Sequence, residues 1–319
     1  LKQIVVLSGK GGTGKTSVTA AFAHLAAAAR TSDAQSGDGC NGAHPKARVV
    51  LVDADVDASN LELVLAPEVL ETNPFRGGQI AVIDAVRCEA CGVCADLCRF
   101  DAIREHDGVY QIDPIACEGC GLCFHQCPAG AVHMEEQVAG HWFRSETHLG
   151  PLFHAALKPG QENSGKLVTA VKQQGRLLAM DEALDLVLVD GPPGIGCPVI
   201  SAAAGADLAL IVAEPTAAGI HDMARVLATT EHFGIPAMVC INKVDLYPAG
   251  AAEIEDFCRE KGLPVIGRLP FDERVTQAML QGQPVTAYDP DSHISRALET
   301  AWQHLLAGIG LEDGTHERR

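Results

Sequence analysis

The sequence predicts an α/β protein: a doubly wound, mostly parallel sheet with a small α+β, cysteine-rich domain inserted into it. Three observations carry that expectation. Short apolar, β-branched runs alternate with helical stretches along most of the 319 residues, the pattern of strands buried on both faces. Gly9-Lys10-Gly11-Gly12-Thr13-Gly14-Lys15-Thr16 follows the first such run and opens a helix, the context a phosphate-binding loop requires. Between residues 80 and 137 the motif CxxCxxCxxxC is written twice. The expected organisation is 1–79 and 138–319 as two parts of one core, with 80–137 as the insert.

Composition bounds the function. At 47% hydrophobic residues the chain can bury a substantial core, and with only 4% aromatics that core is mostly Ala, Val, Leu and Ile. No apolar run has the length of a membrane span. The net charge of −17 argues against non-specific nucleic-acid binding, which needs clustered Lys and Arg. The sequence starts on an apolar strand with no leader pattern. Twelve cysteines outside a small secreted scaffold point to metal binding in a reducing compartment rather than to disulfides. The expected location is cytoplasmic.

The core elements follow in order. Residues 3–7 read as a buried strand and 15–29 as an alanine-rich helix. In the loop between them, glycines let backbone N–H groups turn inward on phosphates, and the helix N-terminus adds positive potential. Gly9, Gly11, Gly12, Thr13, Gly14 and Ser17 form the cradle. Lys15 reaches the β- and γ-phosphates and Thr16 ligates magnesium. Residues 31–46 are small and polar and read as a surface loop, where Cys40 and His44 are incidental; His24 reads as packed or solvated. Strand 49–52 ends in Asp53-Ala54-Asp55-Val56-Asp57, placing carboxylates at the carboxyl end of a parallel strand, where such sheets bind ligands. Residues 67–78 read as a Pro/Gly bridge, and a loop at 159–167 as the entry to a helix near 166–174.

Strand 186–189 closes on Asp190-Gly191-Pro192-Pro193-Gly194, an acidic strand end followed by a turn. Strands at 208–212, 237–241 and 265–268 follow. Helices are expected near 221–233, 273–281 and 292–307, with a loop between the last two and a polar tail at 311–319. His221-Asp222 reads as a surface pair at a helix start, because no nucleophile is placed nearby. Asn242-Lys243-Val244-Asp245 matches NKxD, the guanine-reading motif, so GTP stands beside ATP as a candidate. Cys197 reads as a packed thiol or as a transient metal site.

Eight of the cysteines fall in the repeat: Cys88, Cys91, Cys94 and Cys98, then Cys117, Cys120, Cys123 and Cys127. The copies are offset by 29 residues, and Ile83/Ile112, Asp84/Asp113, Glu89/Glu118, Gly92/Gly121 and Ala102/Ala131 align. Cysteines at i, i+3 and i+6 can hold three corners of an iron–sulfur cube. Structural zinc is the rival chemistry for CxxC pairs.

Residues 80–137 resemble the bacterial two-cluster ferredoxins. That resemblance implies two [4Fe-4S] clusters, each taking its fourth ligand from the other repeat: Cys88, Cys91, Cys94 and Cys127 for one, and Cys117, Cys120, Cys123 and Cys98 for the other. Pro128 follows the last cysteine as in that family; Arg99 stands at the matching place in the first repeat, a departure.

Lys10, directly after the first glycine, makes the loop the deviant form GKGGxGKT. Here the chain resembles P-loop NTPases of the MinD, ParA and Mrp type and the nitrogenase iron protein, including relatives that carry an inserted ferredoxin domain, as in the orange-protein complex. The resemblance implies Mg-ATP hydrolysis in a homodimer formed on ATP binding, with Lys10 reaching the partner's nucleotide. Asp55 would orient the attacking water, Asp53 would sit in the magnesium shell, and Asp190 would hold magnesium through water. Gly194 would sense the γ-phosphate, and Asp57 would be a switch residue or a solvated charge. Asn242 and Pro270 would contact adenine. Hydrolysis would then serve electron transfer or metal-cofactor assembly on a metalloprotein or redox partner. The alternative is a MinD/ParA-like positioning or scaffold ATPase whose clusters are structural or redox-sensing; the tail lacks the basic amphipathic helix by which MinD binds membranes.

Overall fold

A computed structural model describes residues 1–31, 48–158 and 165–311; the expectations on Cys40, His44 and most of the polar tail lie outside these. The described chain divides into two units. One comprises Leu1–Thr72, Trp142–Ala156 and Asn163–Arg319, the other Asn73–His141 and Leu157–Glu162.

The first unit is built on a parallel sheet. The strands β1 (Lys2–Ser8), β2 (Val49–Asp53), β8 (Leu186–Pro193), β9 (Leu208–Ala213), β10 (Ala237–Asn242) and β11 (Val265–Leu269) are the runs expected from their β-branched composition. β1 sits between β8 and β9, β2 lies outside β8, and β10 and β11 follow β9, all pairs being parallel. Ile4, Val5, Val6 and Leu7 are fully buried, as are Leu186, Leu188, Leu210 and Ile211. The helix α1 (Lys15–Thr31) lies on this sheet, and its Phe22 ring meets Trp302 at 5.2 Å. Trp302 belongs to α11 (His293–Gly308), capped by the Ser292 hydroxyl, which accepts from the Ser295 N–H.

Three strands differ from the sequence reading. Residues 67–78, expected as a bridge, form most of β3 (Glu68–Ile83), and β6 (Val132–Thr147) and β7 (Gly150–Leu157) were not anticipated. The sheet order is β11-β10-β9-β1-β8-β2-β7-β6-β3. β3 is therefore an edge strand, where exposed residues and Pro74 cost no buried ladder bond. That explains why its composition looks like a loop. The division between the units falls inside β3 and β6, along which the chain passes from one to the other. Residues 285–288, expected as loop, form the short helix α10 (Val285–Tyr288).

The second unit contains both cysteine repeats. Each repeat places its third cysteine in a five-residue helix, α3 (Val93–Leu97) or α4 (Leu122–Gln126), and its fourth directly after that helix. β4 (Ile103–His106) and β5 (Val109–Ile112) form an antiparallel hairpin between the repeats.

Candidate functional site

The glycine-rich loop joins β1 to α1, and its geometry explains its residues. The Ser8 hydroxyl donates to the Lys10 carbonyl at 2.6 Å. Gly14 has φ +96, and a Cβ there would lie 2.4 Å from Asn242 Nδ2. A Cβ on Gly9 would lie 2.2 Å from the Asp222 Cβ, so Asp222 packs against the loop rather than standing on an open surface. Lys15 and Thr13 are buried.

Thr16, Asp53 and Asp190 meet behind the loop. Asp53 and Asp190 are register partners on the neighbouring strands β2 and β8. The Thr16 hydroxyl donates to Asp190 Oδ2 at 2.6 Å, and the Thr19 hydroxyl to Oδ1 at 3.3 Å. Asp53 accepts from the Asp55 N–H at 3.0 Å, the Ser59 hydroxyl at 2.8 Å, and the N–H groups of Asn60 and Leu61 at 3.1 and 3.0 Å. Even so, burial, and then the facing Asp190, push the Asp53 carboxyl up to about 8. Burial raises Asp190 less, to about 6, because Thr16 and Lys15 favour its charged form. Two buried acids facing each other on neighbouring strands make a place suited to magnesium, which stabilises both charges. Asp55 is also raised by burial, against the pull of Lys15. Gly11, Gly12, Lys15, Thr16, Asp55 and Pro192 line one open crevice. Cys197, the first residue of α6 (Cys197–Ala203), is exposed.

A second, more apolar pocket adjoins the loop, lined by Ser17, Asn242, Pro270, Phe271, Val275 and Met279 among others. The Asn242 amide donates to the Thr13 carbonyl at 2.8 Å and its oxygen accepts from the Lys243 N–H, so Asn242 braces the loop as well as lining the pocket. Asp245, the acid that reads guanine in NKxD motifs, instead accepts from the Phe271 N–H at 2.6 Å.

Glu214 was not singled out by the sequence reading. It stands just past β9, the same strand-end signal that marked Asp53 and Asp190. Its carboxylate pairs with Lys10 at 3.0 Å and with Lys243 at 3.2 Å. Lys243 also donates to the Gly12 carbonyl at 3.0 Å. Burial works against the Glu214 charge, but the two lysines hold its carboxyl below the usual range. Lys10 is thus engaged within its own chain. Another polar set, also unsuspected, links the part-exposed Glu62 of α2 (Leu61–Leu65) to the buried His154 of β7 and Ser145 of β6. His154 Nδ1 lies 3.0 Å from Glu62 and its Nε2 is 2.9 Å from the Ser145 hydroxyl.

In the second unit the repeats superpose in backbone detail at the 29-residue offset. The left-handed positions Ala90, Gly92 and Asp101 match Gly119, Gly121 and Gly130. Asp84 Oδ1 accepts from the Val86 N–H and Asp113 Oδ1 from the Ile115 N–H, each at 2.9 Å. The repeats also bond across one another: the Asp84 N–H donates to the Ala131 carbonyl and the Asp113 N–H to the Ala102 carbonyl, both at 2.8 Å. That reciprocity is a local two-fold exchange. It brings Cys88, Cys91, Cys94 and Cys127 to line one cavity together with Tyr110 and Pro128. All eight cysteines are free thiols. These are four soft donors from two repeats around one space, and they fit a cubic iron–sulfur cluster. At the 29-residue offset Cys117, Cys120 and Cys123 are the counterparts of Cys88, Cys91 and Cys94, and Cys98 that of Cys127. Among the described residues, no three His, Cys, Asp or Glu side chains converge as they would around one metal ion; magnesium in phosphate sites relies on one or two protein groups and the phosphates themselves.

A family model for the CobQ/CobB/MinD/ParA nucleotide-binding domain matches residues 41–285, more than half of the chain. The chain belongs to this family. The glycine-rich loop lies before the matched segment. An uncharacterised protein of Methanocaldococcus jannaschii is 29% identical over 310 residues, 96% of each chain. An uncharacterised ATP-binding protein of the same archaeon is 26% identical over 298 residues, 92% of this chain and 84% of its own. The fold matches the septum site-determining protein MinD of Pyrococcus horikoshii, solved with Mg-ADP. The TM-score is 0.57 at 17% identity, over 98% of this chain and 99% of that one. Among the described residues no helix is long and apolar enough to cross a membrane.

Proposed function

We propose that this chain is a magnesium-dependent ATPase that forms a homodimer on binding ATP and carries two [4Fe-4S] clusters in its cysteine repeats. Its nucleotide switch serves electron transfer to, or metal-cofactor assembly on, a partner metalloprotein. The observation that carries this reading is the cavity lined by Cys127 of one repeat and Cys88, Cys91 and Cys94 of the other, in a chain of a nucleotide-binding family.

The residues divide the work as follows. Loop N–H groups and Lys15 bind the phosphates and offset the charge that spreads over the transferred phosphoryl. Thr16 and Asp190 would hold magnesium, with Asp53 behind them. The metal supplies charge neutralisation on the phosphate oxygens. Asp55, at the crevice, orients the attacking water. Lys10 leaves Glu214 to complete the site of a second chain. The apolar pocket at Pro270 takes the base, and the engagement of Asp245 with the Phe271 N–H favours adenine over guanine. Cys88, Cys91, Cys94 and Cys127 would hold one cluster, and Cys117, Cys120, Cys123 and Cys98 the other; the clusters supply one-electron storage. The switch segment is joined to the repeats through the chain itself. Leu61, whose N–H holds Asp53, opens α2, and β3 begins a few residues later at Glu68 and leads to Cys88.

Metal and sulfide analysis with an ATPase assay tests this reading. Anaerobically reconstituted protein is expected to hold about eight iron and about eight sulfide per chain and to hydrolyse ATP only with magnesium. Lys15→Ala is expected to lose hydrolysis and keep its iron. Stoichiometric zinc in place of iron, or hydrolysis of GTP in preference to ATP, would sink it.

A further inference from the structure

The local two-fold exchange invites a comparison of the two cysteine sites, and they are not equivalent. In the first site, Tyr110 lines the cavity with Cys88, Cys91, Cys94 and Cys127. Its hydroxyl lies 3.1 Å from where a Cβ on Gly92 would stand. Tyr110 sits on β5, the strand that leads into the second repeat and lies over the loop of the first. The counterpart strand is the end of β3, which leads into the first repeat and lies over the loop of the second: the Gln79 carbonyl is 2.0 Å from where a Cβ on Gly119 would be. At the 29-residue offset Tyr110 corresponds to Ala81. The residue that matches the phenol of the first site is therefore an alanine. It also has Arg99 where the first has Pro128, directly after the ligand Cys98. Burial follows the same asymmetry: Cys94 is buried, whereas its counterpart Cys123 is only partly so.

We infer that the two cluster sites differ in reduction potential, and that the site of Cys117, Cys120, Cys123 and Cys98 is the higher, so that an electron entering the unit comes to rest there. The inference rests on the cluster-binding reading above and goes beyond it by ranking the sites. One added electron adds one negative charge to a site that already holds four thiolates. Water and a neighbouring cation stabilise that extra charge; an aromatic cover that excludes water disfavours it. Ala81 and Arg99 both act to raise the second site, and Tyr110 acts to lower the first. Two features oppose this order: the Ala131 N–H donates to Cys127 Sγ at 3.3 Å, and Arg87, directly before the ligand Cys88, brings its guanidinium 3.2 Å from where a Cβ on Gly130 would stand, where the second repeat has Ala116. Arg87 and Arg99 each stand beside one ligand and offset one another, so the aromatic cover of Tyr110 and the burial of Cys94 set the order.

The test is an anaerobic redox titration of the full chain, reconstituted with iron and sulfide, reduced with dithionite and followed by electron paramagnetic resonance. Cys91→Ser and Cys120→Ser each remove one exposed ligand and assign the signals. The expected result is two resolved potentials. Cys120→Ser removes the higher, Cys91→Ser the lower, Tyr110→Ala raises the lower, and Arg99→Ala lowers the higher while Arg99→Lys preserves it. Two clusters at one common potential, or loss of the lower signal in Cys120→Ser, would overturn the ranking and leave the cluster reading standing. No cluster signal in the fully reconstituted wild type would overturn both.

Discussion

Matched substitutions at Ala90 and Gly119 should have opposite signs, although the two positions are equivalent in sequence. Both residues adopt left-handed backbone, φ 51 at Ala90 and φ 63 at Gly119. At Gly119 a Cβ would lie 2.0 Å from the Gln79 carbonyl oxygen, which is backbone and cannot swing away. Gly119→Ala therefore combines a left-handed alanine, about 1–2 kcal/mol, with an overpacking displacement of about 1–3 kcal/mol. The expected loss is about 3 kcal/mol. Ala90 already carries the conformational cost. Ala90→Gly removes about 1–2 kcal/mol of strain and gives back about 0.5–1 kcal/mol through the greater freedom of the unfolded chain, for a net gain of up to about 1.5 kcal/mol. Anaerobic urea titration, read by the visible absorbance of the clusters, follows this unit alone. With a slope of about 1–3 kcal/mol per molar, Gly119→Ala should lower the midpoint by about 1 M or more, and Ala90→Gly should hold or raise it. Equal effects at the two positions would refute the packing of β3 over the second repeat.

Three further outcomes follow from the nucleotide site. Asp53 and Asp190 have folded pKa values raised to about 8 and about 6. Their burial is without penalty while they are protonated and costs stability as pH rises from the unfolded value near 4 through those values. Magnesium with nucleotide relieves that cost, so thermal stabilisation by Mg-ADP should be larger at pH 8 than at pH 6; an equal shift at both would contradict the assignment. Glu214→Gln releases Lys10 from a partly exposed pair worth about 0.5–1 kcal/mol. Two such pairs are released per dimer, so ATP-dependent dimerisation, measured by sedimentation with a non-hydrolysable analogue, should then occur at roughly five- to thirty-fold lower protein concentration. Asp245→Asn should leave the preference for ATP over GTP unchanged within about two-fold, measured as the ratio of kcat/KM values. A guanine-reading acid would instead change that ratio by roughly ten-fold or more.

The parts of this protein that were legible in the sequence are those where chemistry fixes spacing. The loop from Gly9 to Thr16 could be read because phosphate binding needs those residues between a strand and a helix. Asp53 and Asp190 could be read because each closes a fully apolar strand. The cysteine repeat declared itself through its offset. β3 could not be read, because an edge strand carries exposed residues and tolerates Pro74, so its composition is that of a loop. Glu214 was passed over although it follows the apolar run of β9 as Asp190 follows the apolar run 186–189; its role depends on Lys243, distant in sequence, turning back onto Gly12. The set of Glu62, Ser145 and His154 joins three elements, α2, β6 and β7, none of which was expected. The pairing of Tyr110 with Ala81 is visible at the 29-residue offset, but its meaning depends on knowing that each leading strand lies over the other repeat.

The most direct test of the account is the effect of Mg-ATP on the clusters of the intact chain. Potentials of both clusters would be titrated anaerobically by electron paramagnetic resonance, with and without Mg-ATP. The account predicts two cubic-cluster signals, with at least one potential moving on addition of nucleotide. Two clusters whose potentials ignore nucleotide would contradict the coupling and favour a scaffold or sensor. A fully metallated chain with no cluster signal would contradict the reading of the cysteine repeats themselves.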